Sequence, residues 1–228
     1  MLRLPHLFFI LLLVSFKSSY SQSKKTGNWG IITINLPSTE KHRWGGYFES
    51  QVRTDKILFN HLYYYELKTG VSYAITKNII ALLGTGRYTT YDYQDLSDGP
   101  TIEETRIWQQ LIFTHLIDRV KFEHRGRIEQ RWLNEVYRNR YRYRLNVTVP
   151  INHPKLTANT VFVSAFNEIF LNNRHPNFER NRITGTLGYQ FTKAFSMQTG
   201  WLYQYNNTLN GTNAKYNLTL NMTYSIQR

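Results

Sequence analysis

The chain is predicted to be all-β, an antiparallel up-and-down β-barrel that crosses a membrane and encloses a polar, Arg-rich lumen. Three observations lead there. Almost every segment after residue 21 alternates with period two, and convincing 3.6-residue periods are absent. The alternation persists through many segments to the final residues. The polar face of several segments is densely charged, which a lipid-facing surface would not tolerate.

Composition narrows the classes before any element is placed. The 228 residues are 15% aromatic, with 17 Tyr, 13 Phe, 6 Pro and no Cys. Such a chain is too aromatic for a disordered polymer, and it has neither a disulfide framework nor a Cys-based metal site. A mean hydropathy of −0.47, and the lack of an internal apolar run of roughly 18 residues, exclude a bundle of membrane helices. The length suits one domain.

Residues 1–21 are read as a signal peptide. Arg3 gives a positive start, Leu7 to Val14 an apolar run too short to span a bilayer, and Ser19-Tyr20-Ser21 the small residues of a cleavage site. Residues 22–228 then form one exported domain. Eleven alternating segments follow, at about 28–36, 42–53, 61–75, 79–91, 101–117, 119–133, 137–149, 155–171, 179–192, 195–206 and 215–226. About ten are expected to cross the membrane, with twelve as the alternative, and 28–36 either completes the sheet or lies against it. An even count places both termini in the periplasm. The last segment is the clearest: Tyr216, Leu218, Leu220, Met222, Tyr224 and Ile226 share one face, opposite Asn217, Thr219, Asn221, Thr223 and Ser225.

Connections are expected to alternate in length. Short links fall near Thr76-Lys77, Asp118-Arg119, Asn152-His153 and Thr192-Lys193-Ala194, and longer polar links at 54–60, 92–100, 172–178 and 207–214. Short turns at one end and long loops at the other characterise outer-membrane barrels. Alternation alone does not separate such a barrel from a soluble sandwich or a lipocalin-like barrel binding a small ligand.

A formal charge of +13 raises the question of a nucleic-acid partner. Periodicity answers it. Arg138, Arg140, Arg142 and Arg144 occupy one strand face, with Tyr137, Tyr141, Tyr143, Leu145 and Val147 on the other. In the preceding segment Lys121, Glu123, Arg125, Arg127, Glu129 and Arg131 likewise oppose Val120, Phe122, Ile128 and Trp132. Guanidinium groups facing lipid near the midplane would cost about 2–4 kcal/mol each, so these faces are assigned to the lumen. Turn geometry suggests partners. A two-residue turn at Thr76-Lys77 sets Glu66 opposite Arg87. One at Asp118-Arg119 sets Gln110 opposite Arg127 and Trp108 opposite Glu129, with Arg106 diagonal to Glu129. Glu104, Glu168, Arg180 and Arg182 complete the candidate network.

These polar segments also carry a resemblance. Glu104-Thr105-Arg106-Ile107-Trp108-Gln109-Gln110, Arg125-Gly126-Arg127-Ile128-Glu129-Gln130-Arg131, Asn167-Glu168-Ile169-Phe170 and Asn181-Arg182 resemble the bacterial family called domain of unknown function 2490, from about Trp29 onward. The resemblance implies an outer-membrane β-barrel of the Gram-negative type, frequent in the Bacteroidota, without an established activity. The terminal Gln227-Arg228 departs from the aromatic end of many such barrels.

No Gly-rich phosphate loop, HExxH or GxSxG motif is present. The histidines are scattered without metal-ligand spacing, and the acidic run Asp92–Gly99 lacks the spacing of an EF-hand. No metal or other cofactor is implied. The expected partners are outer-membrane lipid, the barrel-assembly machinery during insertion and, as a candidate, a small anionic solute; nucleic acid is not among them. The functional classes are a structural or anion-passing barrel and, as the alternative, an enzyme or binding scaffold whose outer links carry His61, Asp95, Asp98 and His175.

Overall fold

The computed structural model describes residues 26–56, 61–92, 97–134 and 136–228. Residues 1–21, read above as a signal peptide, and Asp95 lie outside the described residues. The strands are β1 Thr26–Leu36, β2 Trp44–Thr54, β3 Leu62–Ala74, β4 Ile79–Tyr91, β5 Pro100–Ile117, β6 Val120–Leu133, β7 Val136–Pro150, β8 Thr160–Asn172, β9 Phe178–Gln190, β10 Phe195–Thr208 and β11 Gly211–Ser225. Sequential strands pair antiparallel, and β1 closes the barrel against β11.

The barrel therefore has eleven strands, not ten or twelve, and the closing pair is parallel, from Thr26 opposite Tyr216 to Asn35 opposite Ser225. Parity dictates this: in an up-and-down meander of odd count, the first and last strands run the same way. Thr26 and the C-terminus consequently lie at opposite ends of the barrel. The segment 28–36 is hard to place from its residues because it is apolar on both faces. Trp29 and Ile31 line the interior, while Ile32 and Ile34 are exposed on the outside.

Connection lengths do not sort by end. The C-terminal end carries links 37–43, 75–78, 118–119, 151–159 and 191–194; the other carries 55–61, 92–99, 134–135, 173–177 and 209–210. The polar stretch expected to loop at 207–214 is a hairpin, with Thr208 opposite Gly211. Its asparagines belong to the ladder: Asn206 Nδ2 donates to Asn213 Oδ1 at 2.8 Å, and Gly211 takes the positive φ of 110° that closes the turn.

Register separates the two hairpins read from the sequence. At Asp118-Arg119 a two-residue turn joins Ile117 to Val120, and Gln110 stands opposite Arg127 and Trp108 opposite Glu129. Between β3 and β4 the turn is one residue longer. Ile75 N–H donates to Ile79 O at 2.9 Å, and Thr76 Oγ1 accepts the N–H groups of Asn78 and Ile79. Because side chains alternate with period two, that residue moves β4 to the opposite phase: Glu66 faces Tyr88, and Arg87 faces Leu67.

Candidate functional site

Alternation sends one set of side chains outward and the other into the barrel. The outer surface displays large apolar groups on every strand from β1 to β11, among them Ile32, Phe48, Val71, Leu83, Leu111, Ile128, Tyr143, Ile169, Leu187, Trp201 and Tyr224. The interior holds most of the charge. A cavity of about 1020 Å³ is lined from both ends of the barrel, reaching from Tyr63 and Asn213 at one to Ser72, Thr114 and Thr223 at the other. Among the described residues, thirteen Lys and Arg but six Glu line it. Glu129 is wholly buried behind that lining.

From β5 to β8 arginines outnumber carboxylates, but the carboxylates there lie in direct contact with guanidinium groups. Glu104 accepts from Arg106 Nε and Nη2, both at 2.6 Å, and from Arg131. Glu129 accepts from Arg140 Nε at 2.8 Å, Arg142 Nη1 at 2.6 Å and Arg127 Nη1 at 3.2 Å. Glu168 takes Arg142 Nη2 at 2.7 Å and Arg125 Nη2 at 2.5 Å. Glu123 takes Arg144 Nη2 at 2.9 Å. Aromatic rings fill the space between, with Arg106 over Tyr88 at 3.5 Å and Arg142 over Phe170 at 4.5 Å. Two glycines admit rings: a Cβ on Gly84 would lie 2.3 Å from the Trp108 indole, and one on Gly188 2.3 Å from the Phe162 ring. Burying Glu104, Glu129 and Glu168 is tolerable only because each of them meets several guanidinium donors.

From β9 through β10 and β11 to β1 the interior is different. Thr184, Thr186, Gln198, Gln204, Asn206, Asn213, Thr219 and Asn221 line it with amides and hydroxyls, and its lining charges are Glu179, Arg180, Arg182 and Lys215.

Of the residues expected to form one network, Glu104, Arg106, Glu123, Arg125, Arg127, Glu129, Arg131, Arg140, Arg142, Arg144 and Glu168 are linked as described. Arg180 and Arg182 sit at its edge, each 3.9 Å from a carboxylate. Glu66 is inside but bound to Lys68 at 2.6 Å, with Arg53 at 3.5 Å. Arg138 shares the inward phase of β7, and its buried Nε has no hydrogen-bond partner. Arg87 does not belong. Its side chain is 54% exposed and pairs with Glu103 at 2.8 Å, because the longer β3–β4 turn reverses the phase of β4.

Sequence reasoning left out Glu49, Arg53, Lys68, Glu179 and Lys215 among the charges that line the cavity. The first three could have been found by carrying the phase of Glu66 across β2 and β3. Glu179 could not. The β8–β9 register jumps between Phe170, opposite Arg180, and Leu171, opposite Phe178, so Glu179 is the extra residue of a bulge. There it reaches Arg140 at 2.9 Å and Arg131 at 3.2 Å. Among the described residues no histidine lines the cavity. His115 and His124 stack at 5.3 Å, between Phe113, Phe122 and Tyr143. Among the described residues no group of three or more His, Asp or Glu is placed to hold a metal ion.

A family model described as "Protein of unknown function (DUF2490)" matches residues 26–215. No curated protein and no solved structure matches the chain.

Proposed function

The chain belongs to the DUF2490 family, and we propose that it is an outer-membrane β-barrel whose charged lumen receives small solutes, anions above all. One observation carries the reading: the closed sheet is apolar outside and ionic inside. A soluble ligand-binding barrel has the reverse polarity. An apolar belt around a whole barrel far exceeds the few hundred Å² of apolar patch that soluble monomers expose.

The polar groups on the outer face support the same environment, since an unsatisfied donor or acceptor in hydrocarbon costs several kcal/mol. Gln109 and Gln130 exchange amide hydrogen bonds at 3.3 and 3.1 Å, and Asn167 and Asn181 do so at 3.3 and 3.2 Å. Thr69, Thr85 and Thr199 return their hydroxyls to backbone carbonyls. Every connection at the C-terminal end carries a basic residue: Lys41 and Arg43, Lys77, Arg119, Lys155, and Lys193. A basic rim beside an apolar belt suits anionic lipid headgroups. The cationic excess of the cavity lining favours anions over cations as solutes.

The test is fractionation of cells expressing the full chain, followed by conductance of the purified protein in planar bilayers. Retention in outer membranes after alkaline extraction, with anion-selective current, is the expected outcome. Release as a detergent-free soluble protein overturns the membrane reading. Retention without current or solute uptake overturns the solute-accepting lumen.

A further inference from the structure

We infer that Arg53, Arg180 and Arg182, gathered beside the Trp29 and Phe170 rings inside the barrel, form a binding site for a small phosphate-type oxyanion. The inference deepens the reading of a solute-accepting barrel and rests on it for access to the interior.

The three guanidinium groups are close. Arg53 and Arg182 stand over the Trp29 ring at 3.8 and 4.7 Å, and Arg182 and Arg180 share the Phe170 ring at 4.7 and 5.6 Å. An aromatic face stabilises a cation without neutralising it or occupying its N–H donors. The indole is itself held by a 2.7 Å hydrogen bond from Trp29 Nε1 to Gln51 Oε1.

Their carboxylates are engaged elsewhere. Arg53 has Glu66 at 3.5 Å, but Glu66 holds Lys68 at 2.6 Å. Arg180 has Glu179 at 3.9 Å, which holds Arg140 at 2.9 Å. Arg182 has Glu168 at 3.9 Å, which holds Arg142 at 2.7 Å. The facing wall of β10 supplies amides in their place: Asn206 Oδ1 accepts from Arg180 Nε at 2.7 Å, and Gln204 Oε1 from Arg182 Nε at 2.8 Å. Those bonds orient both guanidinium planes and spend one donor each. Among the described residues, the Nη atoms of Arg180 and Arg182 make no hydrogen bond, and all three arginines line the cavity.

Three partly desolvated cations with unspent donors are a stored electrostatic cost, since like charges repel strongly away from water. Arg182 is only 7% exposed. A tetrahedral oxyanion relieves that repulsion and offers three or four acceptors to guanidinium groups arriving from different strands, where a planar carboxylate offers two. The closed wall separates the site from the bilayer, so the ligand arrives as a free solute such as a phosphate ester, not as a lipid headgroup. Trp29, Arg53 and Arg180 stand near the strand ends that carry links 55–61 and 173–177, so the site opens toward that end.

The experiment is isothermal titration of the detergent-folded full chain with inorganic phosphate and pyrophosphate at constant ionic strength, each variant first checked for heat-modifiable migration of the folded barrel. One saturable site is expected. Arg53→Gln and Arg182→Gln should each weaken it by on the order of tenfold or more, the scale of one lost charge-assisted hydrogen bond. Arg182→Lys should retain part of the affinity, and it serves should the Gln variant fail to fold. Arg87→Gln, outside the barrel, should leave the affinity unchanged. No saturable binding to folded protein, or equal losses at Arg87 and Arg182, overturns the site. Failure of the membrane reading registers separately, in the fractionation.

Discussion

Between β5 and β8 the interior interleaves guanidinium and carboxylate so closely that Glu129, fully buried, meets Arg127, Arg140 and Arg142 within 3.2 Å. From β9 round to β1 the same barrel turns inward a wall of Thr, Asn and Gln, and the arginines bordering it reach a carboxylate only at 3.5–3.9 Å. The contrast separates two uses of buried charge. In the first wall the carboxylates sit in close contact with guanidinium groups, and the network braces the barrel. In the second the arginines stand off from any carboxylate, held by ring faces and amides, and keep donors available to a ligand.

The largest effect should come from breaking the first wall. Glu129→Ala removes the carboxylate that three buried guanidinium groups share, leaving Arg140 and Arg142 one carboxylate each and Arg127 none, and such a loss costs about 3–5 kcal/mol. Urea unfolding in detergent micelles should show that drop; an unchanged midpoint would mean the wall is not braced by its ions. Next comes Gly84→Ala, where the added methyl group meets the Trp108 ring at 2.3 Å. Overpacking of this kind costs about 1–3 kcal/mol, and the same unfolding curve reads it. Arg182→Gln removes a cation that touches no carboxylate closely and should change stability by about 1 kcal/mol or less, with relief of repulsion offsetting the lost contacts. A loss as large as that of Glu129→Ala would erase the distinction between the walls. The smallest effect belongs to the outside. Arg87→Ala breaks a solvent-screened pair with Glu103 and should shift the heat-modifiability temperature little, corresponding to about 0–1 kcal/mol.

Much of this interior was legible in the residues. Arg140, Arg142 and Arg144 share a face by simple alternation, and the Asp118-Arg119 hairpin is short enough that its register follows from the turn alone. The β3–β4 hairpin shows the limit. Its turn, Thr76-Lys77-Asn78, resembles Thr192-Lys193-Ala194, and both use the threonine hydroxyl to accept the backbone N–H groups two and three residues on. Treating the two alike would have placed Arg87 outside. The polar pair Asn206–Asn213 imitates a loop in composition because amides that bond each other across strands look, in sequence, like amides that bond water. No such reading was open for Glu179, whose inward position depends on a bulge against β8.

By itself the sequence determined that the chain alternates, which side chains within a strand travel together, and hence that arginines and carboxylates share one face while Leu, Ile and Tyr share the other. That follows from the period of an extended backbone, a local property. The tertiary structure alone decided that eleven strands close, that the closing pair is parallel, and which carboxylate serves which guanidinium. Those outcomes depend on strand count, register and a single bulged residue, which bring Arg131 and Arg140 to Glu179 across 48 and 39 positions of chain. Such pairings exist only once the sheet has closed on itself.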